Sequence, residues 1–182
     1  GIRSVASASG IKKVLFSTVI AYDDIYSINY FGQYLRGVWT EKFSDIAQAM
    51  KYFKENREEL LEKVQTWEKT ILGDAKPFGK KYQMMLSAAV RQIFAGHKLV
   101  RNGKGELLYM SKECHSNGCI NTVDVSYPAL PMYLLYAPEL VKAMCTGIFT
   151  FANMPLWNAD FAPHDIGRYP WADGQVYALS PT

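Results

Sequence analysis

The sequence predicts a mainly α-helical fold with two short β-hairpins. Apolar residues recur every three, four or seven positions over 44–72, and a second stripe follows over 78–93, which is the spacing of one helix face. The second hairpin is indicated by "RNGKGE", an Asn-Gly turn between two apolar runs. A chain of 182 residues has room for one domain with a substantial core, or for one domain and an extension.

The N-terminal region predicts the first hairpin. Residues 13–21 and 25–31 are rich in Val, Ile, Phe and Tyr, and Asp23-Asp24 between them indicates a turn. Two strands alone are only marginally stable in water. We therefore expect them to join a larger sheet or to pack on the helices.

The helices follow in order along the chain. The stripe over 44–72 is long for one helix, and "NREE" resembles a capping box, which predicts a break near Asn56. A second helix is expected from Pro77 to Gly96, and a third from Pro138. No helical period is present after Met154, so we expect a long loop there.

Composition excludes several classes of function. The formal net charge is +3 without a block of like charge, which gives no sign of nucleic-acid binding. No apolar run approaches the ~20 residues of a membrane span, and no signal peptide is evident. The "CHSNGC" stretch lacks the paired CxxC spacing of a structural zinc site, so we expect free thiols, no metal and no cofactor. The start at Gly1 suggests a processed or excised chain.

Two polar loops are the candidate functional segments, residues 111–127 and 160–175. Both adjoin helical elements, and loops held by a rigid scaffold are where function concentrates. We expect the two loops to face a common hollow. The candidates for catalysis are Asp124, Asp165, Glu113 and His164, and those for binding a small-molecule substrate are Arg168, Tyr169, Trp171, Asn117 and Tyr127.

Each candidate has a functional and a structural interpretation. Asp124 or Asp165 could act as a base on water, or could accept hydrogen bonds from backbone amides at a turn. Neighbouring residues of an extended loop point in opposite directions, so His164 and Asp165 are not expected to form a catalytic pair by themselves. Arg168 could bind a substrate carboxylate, or could pair internally with Asp165 or Asp173.

Three stretches resemble the glutaminase A family of fungal and bacterial proteins, and in particular its six-helical-hairpin domain. They read "YDDIYSINYFG", "SNGCINTVDVSYPALPMYLLYAPELVKAM" and "FAPHDIGRYPWADGQ". The resemblance implies a partial (α/α) toroid of the six-hairpin glycosidase type. It also implies that residues 1–38 are a lead-in from a preceding β-rich domain and that 39–182 form the helical-hairpin domain. The family setting implies an extracellular or periplasmic location.

A complete toroid needs about twelve helices of ~11–12 residues, which do not fit in 182 residues. We therefore expect a fragment whose partners include the remaining domains of the parent chain. The family name implies hydrolysis of the side-chain amide of L-glutamine. The alternatives are a glycan-processing or glycan-binding module, whose Trp157, Tyr169, Trp171 and Tyr177 would stack on sugar rings, and a non-catalytic scaffold.

Overall fold

The computed structural model of the chain describes residues 18–113 and 115–177. The helices are α1 (Ile46–Glu55), α2 (Arg57–Ala75), α3 (Lys80–Ala95), α4 (Val123–Ser126), α5 (Leu130–Tyr136) and α6 (Pro138–Ala152). The strands are β1 (Ile28–Tyr30), β2 (Gln33–Leu35), β3 (His97–Arg101), β4 (Leu107–Ser111) and β5 (Trp171–Ala172). The predicted mainly helical composition is therefore confirmed.

The break in the first long helical segment lies at Asn56, as predicted. The capping box does not form, because the Asn56 side chain donates back to the Tyr52 carbonyl at 2.8 Å and caps no amide of α2. At the start of α1, by contrast, the Asp45 carboxylate accepts a hydrogen bond from the Gln48 amide at 2.8 Å. This satisfies one of the amides that an isolated helix leaves unpaired.

The N-terminal hairpin is present, but its predicted position is wrong. β1 and β2 pair antiparallel around Phe31 and Gly32, whereas residues 18–27 contain no strand and 13–17 lie outside the described residues. The turn forms at Phe31-Gly32 because both residues adopt positive φ, at 43° and 82°. The Asp23-Asp24 step instead forms a local turn before the strand, in which the Asp23 carboxylate accepts the Ile25 amide at 2.8 Å.

Two small sheets hold the polar loops against the helices. β1 lies between antiparallel β2 and parallel β5, so the sheet joins residues near both ends of the described chain. The predicted internal hairpin is confirmed as β3–β4. Its turn is fixed by Asn102, whose side-chain oxygen accepts the amides of Lys104 and Glu106 at 3.0 and 2.9 Å.

α6 packs between the sheets and the loops. On one side it contributes Ile148 and Phe151 to a buried cluster with Met110 of β4 and Ile166 of the second polar loop. Gly147 permits close contact there, because a Cβ atom at this position would lie 3.4 Å from the Asn121 side-chain oxygen. A second cluster contains Tyr109, Tyr133 and Met144 among its members. Both polar loops thus pack against the buried face of the same helix.

The outward faces of several helices carry exposed apolar side chains, among them Val64, Met84, Leu135 and Phe149. α2 packs against α3, and α5 packs against α6, which is the paired arrangement of helical hairpins. In the described part of the chain no helix is both long and apolar enough to cross a membrane.

Candidate functional site

The two polar loops lie side by side, so the predicted proximity is confirmed. Their backbones exchange hydrogen bonds of 2.8 to 3.1 Å, namely Ile120 to Gly167, Ile166 to Ile120, Val123 to His164 and Tyr169 to Gly118, each written from amide to carbonyl. Adjacent extended segments joined in this way hold their side chains in fixed register. Residues predicted on separate loops therefore share one site.

Asp165 is the buried centre of this site, with no exposed surface. Its Oδ1 accepts the amides of Gly167 and Val176 at 3.0 and 3.1 Å, and its Oδ2 accepts the amide of Tyr177 at 3.1 Å. A buried carboxylate is stable only when such donors replace its water. The structural interpretation of Asp165, as an acceptor of backbone amides, is what the geometry shows.

His164 forms the fourth hydrogen bond to this carboxylate, because its Nδ1 lies 2.9 Å from Asp165 Oδ2. The two neighbours contact each other because the chain bends at His164 instead of continuing extended, and that they form no catalytic pair by themselves stays a prediction. The His164 amide donates to Gln175 Oε1 at 2.7 Å, and the ring stacks on Tyr177 at 4.3 Å between centroids. Three backbone amides already donate to this carboxylate, so it acts as the acceptor toward His164 as well; Nδ1 is then the donor, and Nε2 is the ring nitrogen with no hydrogen bond among the described residues.

Asp124 faces that free nitrogen from the other loop. It lies in the first turn of α4, where its side chain is 74% exposed, and its Oδ1 is 3.6 Å from His164 Nε2. This separation is too long for a hydrogen bond. Two atoms at that distance can both contact one water molecule at about 2.9 Å. The structure thus brings together three of the four predicted catalytic residues, with one carboxylate buried and one open to solvent.

Cys119 of the "CHSNGC" stretch, for which the sequence predicts a free thiol and no metal, lies next to the same carboxylate. Sγ of Cys119 and ligand atoms of His164 and Asp165 lie within 4.8 Å of one another, and these donor types suit a divalent metal such as zinc. Burial, and secondarily the neighbouring Asp165 charge, raises the pKa of Cys119 to about 12, so the thiol keeps its proton. Four hydrogen bonds to Asp165 are already made within the chain, as in a buried polar cluster.

Several predicted residues have mainly local contacts. Glu113 accepts from the Ser116 hydroxyl, and among the described residues it makes no hydrogen bond or ion pair with Asp124, His164 or Asp165. Asn117 accepts the Cys119 amide at 2.9 Å and so shapes its own turn.

Tyr127 and Arg168 are exposed near the paired loops. Within the ranges that the structure describes, Arg168 forms no ion pair with Asp165 or Asp173, the two internal partners considered for it. Its guanidinium is therefore compatible with binding a ligand.

Tyr169 and Trp171 lie at the turn of the second loop. Trp171 is exposed, whereas the Tyr169 hydroxyl donates to Asp24 Oδ2 at 3.0 Å. The same oxygen accepts from Lys98 Nζ at 2.5 Å, and Asp24 Oδ1 accepts from the Ser27 hydroxyl at 2.7 Å. Burial alone would raise the pKa of Asp24, but the hydrogen bonds from Lys98 and Ser27 outweigh it and lower this pKa. No motif in the sequence pointed to this network.

An apolar cavity of about 150 Å³ adjoins the site on the side of α6. Val123 and Ala162 line it, and they lie one and two positions before Asp124 and His164. Its remaining wall consists of Asn121, Ser126, Tyr127, Leu130, Met144, Cys145, Ile148 and Phe149. The cavity is thus lined by residues of both polar loops and of α6.

Comparison with known proteins finds two family matches in this chain. Residues 79–181 match the sequence model described as the glutaminase A six helical-hairpin domain. Residues 3–74 match a domain of unknown function, DUF5127. The two matches meet between α2 and α3, and the division predicted at residue 38 stays a prediction.

A full-length relative is the protein named glutaminase A of Aspergillus oryzae (strain ATCC 42149 / RIB 40). It is 31% identical over 179 residues, which cover 94% of this chain and 26% of the relative. The chain thus spans about a quarter of the length of that relative. No solved structure matches the chain.

Proposed function

The chain belongs to the glutaminase A family, and we propose that it forms part of an enzyme that hydrolyses the side-chain amide of L-glutamine to glutamate and ammonia. One observation supports this reaction at the paired loops. The imidazole of His164 is fixed by a buried carboxylate on one side and faces an exposed carboxylate on the other. An oriented imidazole of this kind is suited to general base catalysis.

His164 Nε2 is the proposed base. It takes a proton from a water molecule while the water oxygen bonds to the amide carbon of the substrate. The resulting tetrahedral intermediate collapses when the proton passes from Nε2 to the amide nitrogen, and ammonia leaves. Asp165 does not exchange a proton here. It orients the ring through Nδ1 and stabilises the imidazolium, as its burial and filled hydrogen bonds require.

Asp124 and Arg168 are the proposed polar contacts of the substrate. Asp124 Oδ1, at 3.6 Å from Nε2, can hold the attacking water or the substrate ammonium group. The exposed guanidinium of Arg168 can form two parallel hydrogen bonds with the α-carboxylate. Tyr127 and the apolar cavity beside it offer a wall for the methylene groups of glutamine.

The glycan alternative has less support from the aromatic residues chosen for it. Trp157 donates to the Phe161 carbonyl at 2.7 Å and packs on Phe151, Tyr169 is bonded to Asp24, and Tyr177 stacks on His164. These three rings have structural roles within the chain, whereas the fourth, Trp171, is exposed. Ring faces free to stack on a sugar are the feature that the alternative requires.

We further propose that additional helices of the same polypeptide cover the exposed apolar faces of α2, α3, α5 and α6 and complete an (α/α) toroid. The paired packing of these helices and the family match support this proposal. Apolar helix faces of this kind require a partner. An extracellular or periplasmic location belongs to the same proposal and follows from the family setting.

The test is ammonia release from L-glutamine by the full-length polypeptide that contains this chain, with Asp124→Asn and Asp165→Asn compared to the unmodified protein. Loss of a fixed base or its orientation costs about 100-fold or more in rate. We expect Asp165→Asn to reach that loss and Asp124→Asn to show a clear but smaller one. Unchanged turnover in both variants would remove the paired loops from the mechanism.

A further inference from the structure

We propose that the N-terminal segment positions the second polar loop, and that Asp24 and Tyr169 are positioning residues of the site. The expected effect on kcat rests on the proposed function, whereas the expected effect on the position of His164 does not. The segment lies in the region that matches the domain of unknown function, and the loop lies in the region that matches the six-hairpin domain. The region that matches the domain of unknown function thus has a role in the site of the region that matches the six-hairpin domain.

The first contact is made by the backbone of β1 with the loop tip, defined as residues 168–172. The Asn29 amide donates to the Pro170 carbonyl at 2.8 Å, and the Phe31 amide donates to the Ala172 carbonyl at 2.9 Å. These bonds make the tip the parallel outer neighbour of β1. Without β1, the backbone amides and carbonyls on this side of the tip would have no neighbouring strand to form hydrogen bonds with.

The second contact is made by side chains around Asp24. This carboxylate joins Tyr169 of the tip, Lys98 of β3 and Ser27 of its own segment through hydrogen bonds of 2.5 to 3.0 Å. Burial, and then the hydrogen bond to Asp24, raises the pKa of Tyr169 to about 12, so its hydroxyl remains a donor at neutral pH. Charge-assisted hydrogen bonds of this kind are about twice as strong as neutral ones.

The tip is linked to His164, the proposed base, through close backbone contacts and through the hydrogen bonds of Asp165. The tip folds back so closely that a Cβ atom on Gly167 would lie 2.0 Å from the Trp171 carbonyl oxygen. Gly174 then donates to the Ile166 carbonyl at 3.0 Å, and the amides of Val176 and Tyr177 reach Asp165. A displacement of the tip therefore moves the amides that fix Asp165, and with them the ring of His164.

The test uses Tyr169→Phe, which removes one hydroxyl and keeps the ring, and Asp24→Asn. Asp23→Asn is the matched control, since its carboxylate is adjacent in sequence but pairs with the Ile25 amide and, at 4.0 Å, with Arg36. The chain contains three histidines, so the imidazole resonances of His164 can be followed by NMR and identified with His164→Gln. The signal of His97, which is stacked on Tyr109 in the core, reports whether the fold is retained.

We expect Tyr169→Phe and Asp24→Asn to shift the His164 resonances, while Asp23→Asn leaves them in place. In the full-length enzyme we expect the first two changes to lower kcat by about 10- to 100-fold with a smaller change in KM, because small misplacements of a catalytic group have effects of that size. If Tyr169→Phe and Asp24→Asn shift the His164 resonances but leave kcat close to the wild-type value, the positioning role is overturned.

Unchanged His164 resonances in Tyr169→Phe would overturn the proposal whatever the rates are, and this variant keeps the result decisive if Asp24→Asn fails to fold. If the unmodified enzyme releases no ammonia from glutamine, the proposed function fails, while the NMR comparison still decides whether Asp24 and Tyr169 position His164.

Discussion

Replacing Asp165 with Asn is the change whose effect on stability follows most directly from the structure. Each carboxylate oxygen accepts two hydrogen bonds, one pair from Gly167 and Val176 and the other from Tyr177 and His164. An amide has a single oxygen, so whichever way the Asn side chain is turned, two of these four donors face an NH2 group and lose their acceptor.

The magnitude follows from those two bonds. Hydrogen bonds to a charged group contribute about 1.5–3 kcal/mol each, so losing two lowers the free energy of unfolding by about 3–6 kcal/mol. This is a large share of the ~5–15 kcal/mol that stabilises a typical domain. With a urea m-value of about 2 kcal/mol/M, the midpoint of unfolding should fall by roughly 1.5–3 M.

Urea unfolding of the purified chain, followed by tryptophan fluorescence, measures this change. Asp124→Asn is the matched control, because its carboxylate is 74% exposed and the same substitution there should alter stability by no more than about 0.5 kcal/mol. An Asp165→Asn protein as stable as the control would refute the assignment of Asp165 as the acceptor that holds the loop together.

Three further predictions concern other parts of the fold. Burial lowers the pKa of His97, so the unfolded chain binds a proton there near pH 6.5 before the folded chain does. The contribution of neutral His97 to the free energy of unfolding is therefore fully present above about pH 6.5 and decreases as pH falls toward the folded-state pKa. The loss of Tm between pH 7 and pH 5 should be smaller in His97→Gln than in the unmodified chain, and an equal loss would contradict this. Cys119 is fully buried and Cys145 only partly, so mass spectrometry should find iodoacetamide labelling Cys119 at least about ten times more slowly at pH 8, and equal rates would show that the loop opens readily. Gly167 has φ of 147° and no room for a Cβ atom, so Gly167→Ala should destabilise the chain by about 3 kcal/mol or more in the urea assay, and a neutral effect would contradict the tight turn.

The parts of the fold governed by local patterns were predictable from the sequence. The break at Asn56 and the helix that begins at Pro138 follow from spacing and capping residues, and the β3–β4 hairpin follows from its Asn-Gly turn. The N-terminal hairpin was displaced, because Asp23-Asp24 is a strong turn signal and the positive φ of Phe31 carries no signal in its residue type. Pairing of β1 with β5 joins residues about 140 positions apart, which no local pattern reveals.

The proximity of the two polar loops was predictable, but the contacts between their side chains were not. Asp124, His164 and Asp165 were chosen because polar loops beside helices concentrate function, and they do meet. The direct contact between His164 and Asp165 depends on a bend in the loop, which is fixed by amides that arrive from residues 167–177. The network at Asp24 depends on tertiary packing alone, so its lysine and tyrosine partners could not be identified beforehand.

The proposed role of His164 as the base is tested most directly by the rate of ammonia release from L-glutamine in the full-length polypeptide carrying His164→Gln. The neutral amide cannot take up the proton of the attacking water, so kcat should fall by about 100- to 10,000-fold. Urea unfolding of the same variant shows whether the fold is retained. A folded His164→Gln enzyme with kcat within a few-fold of wild type would contradict the account.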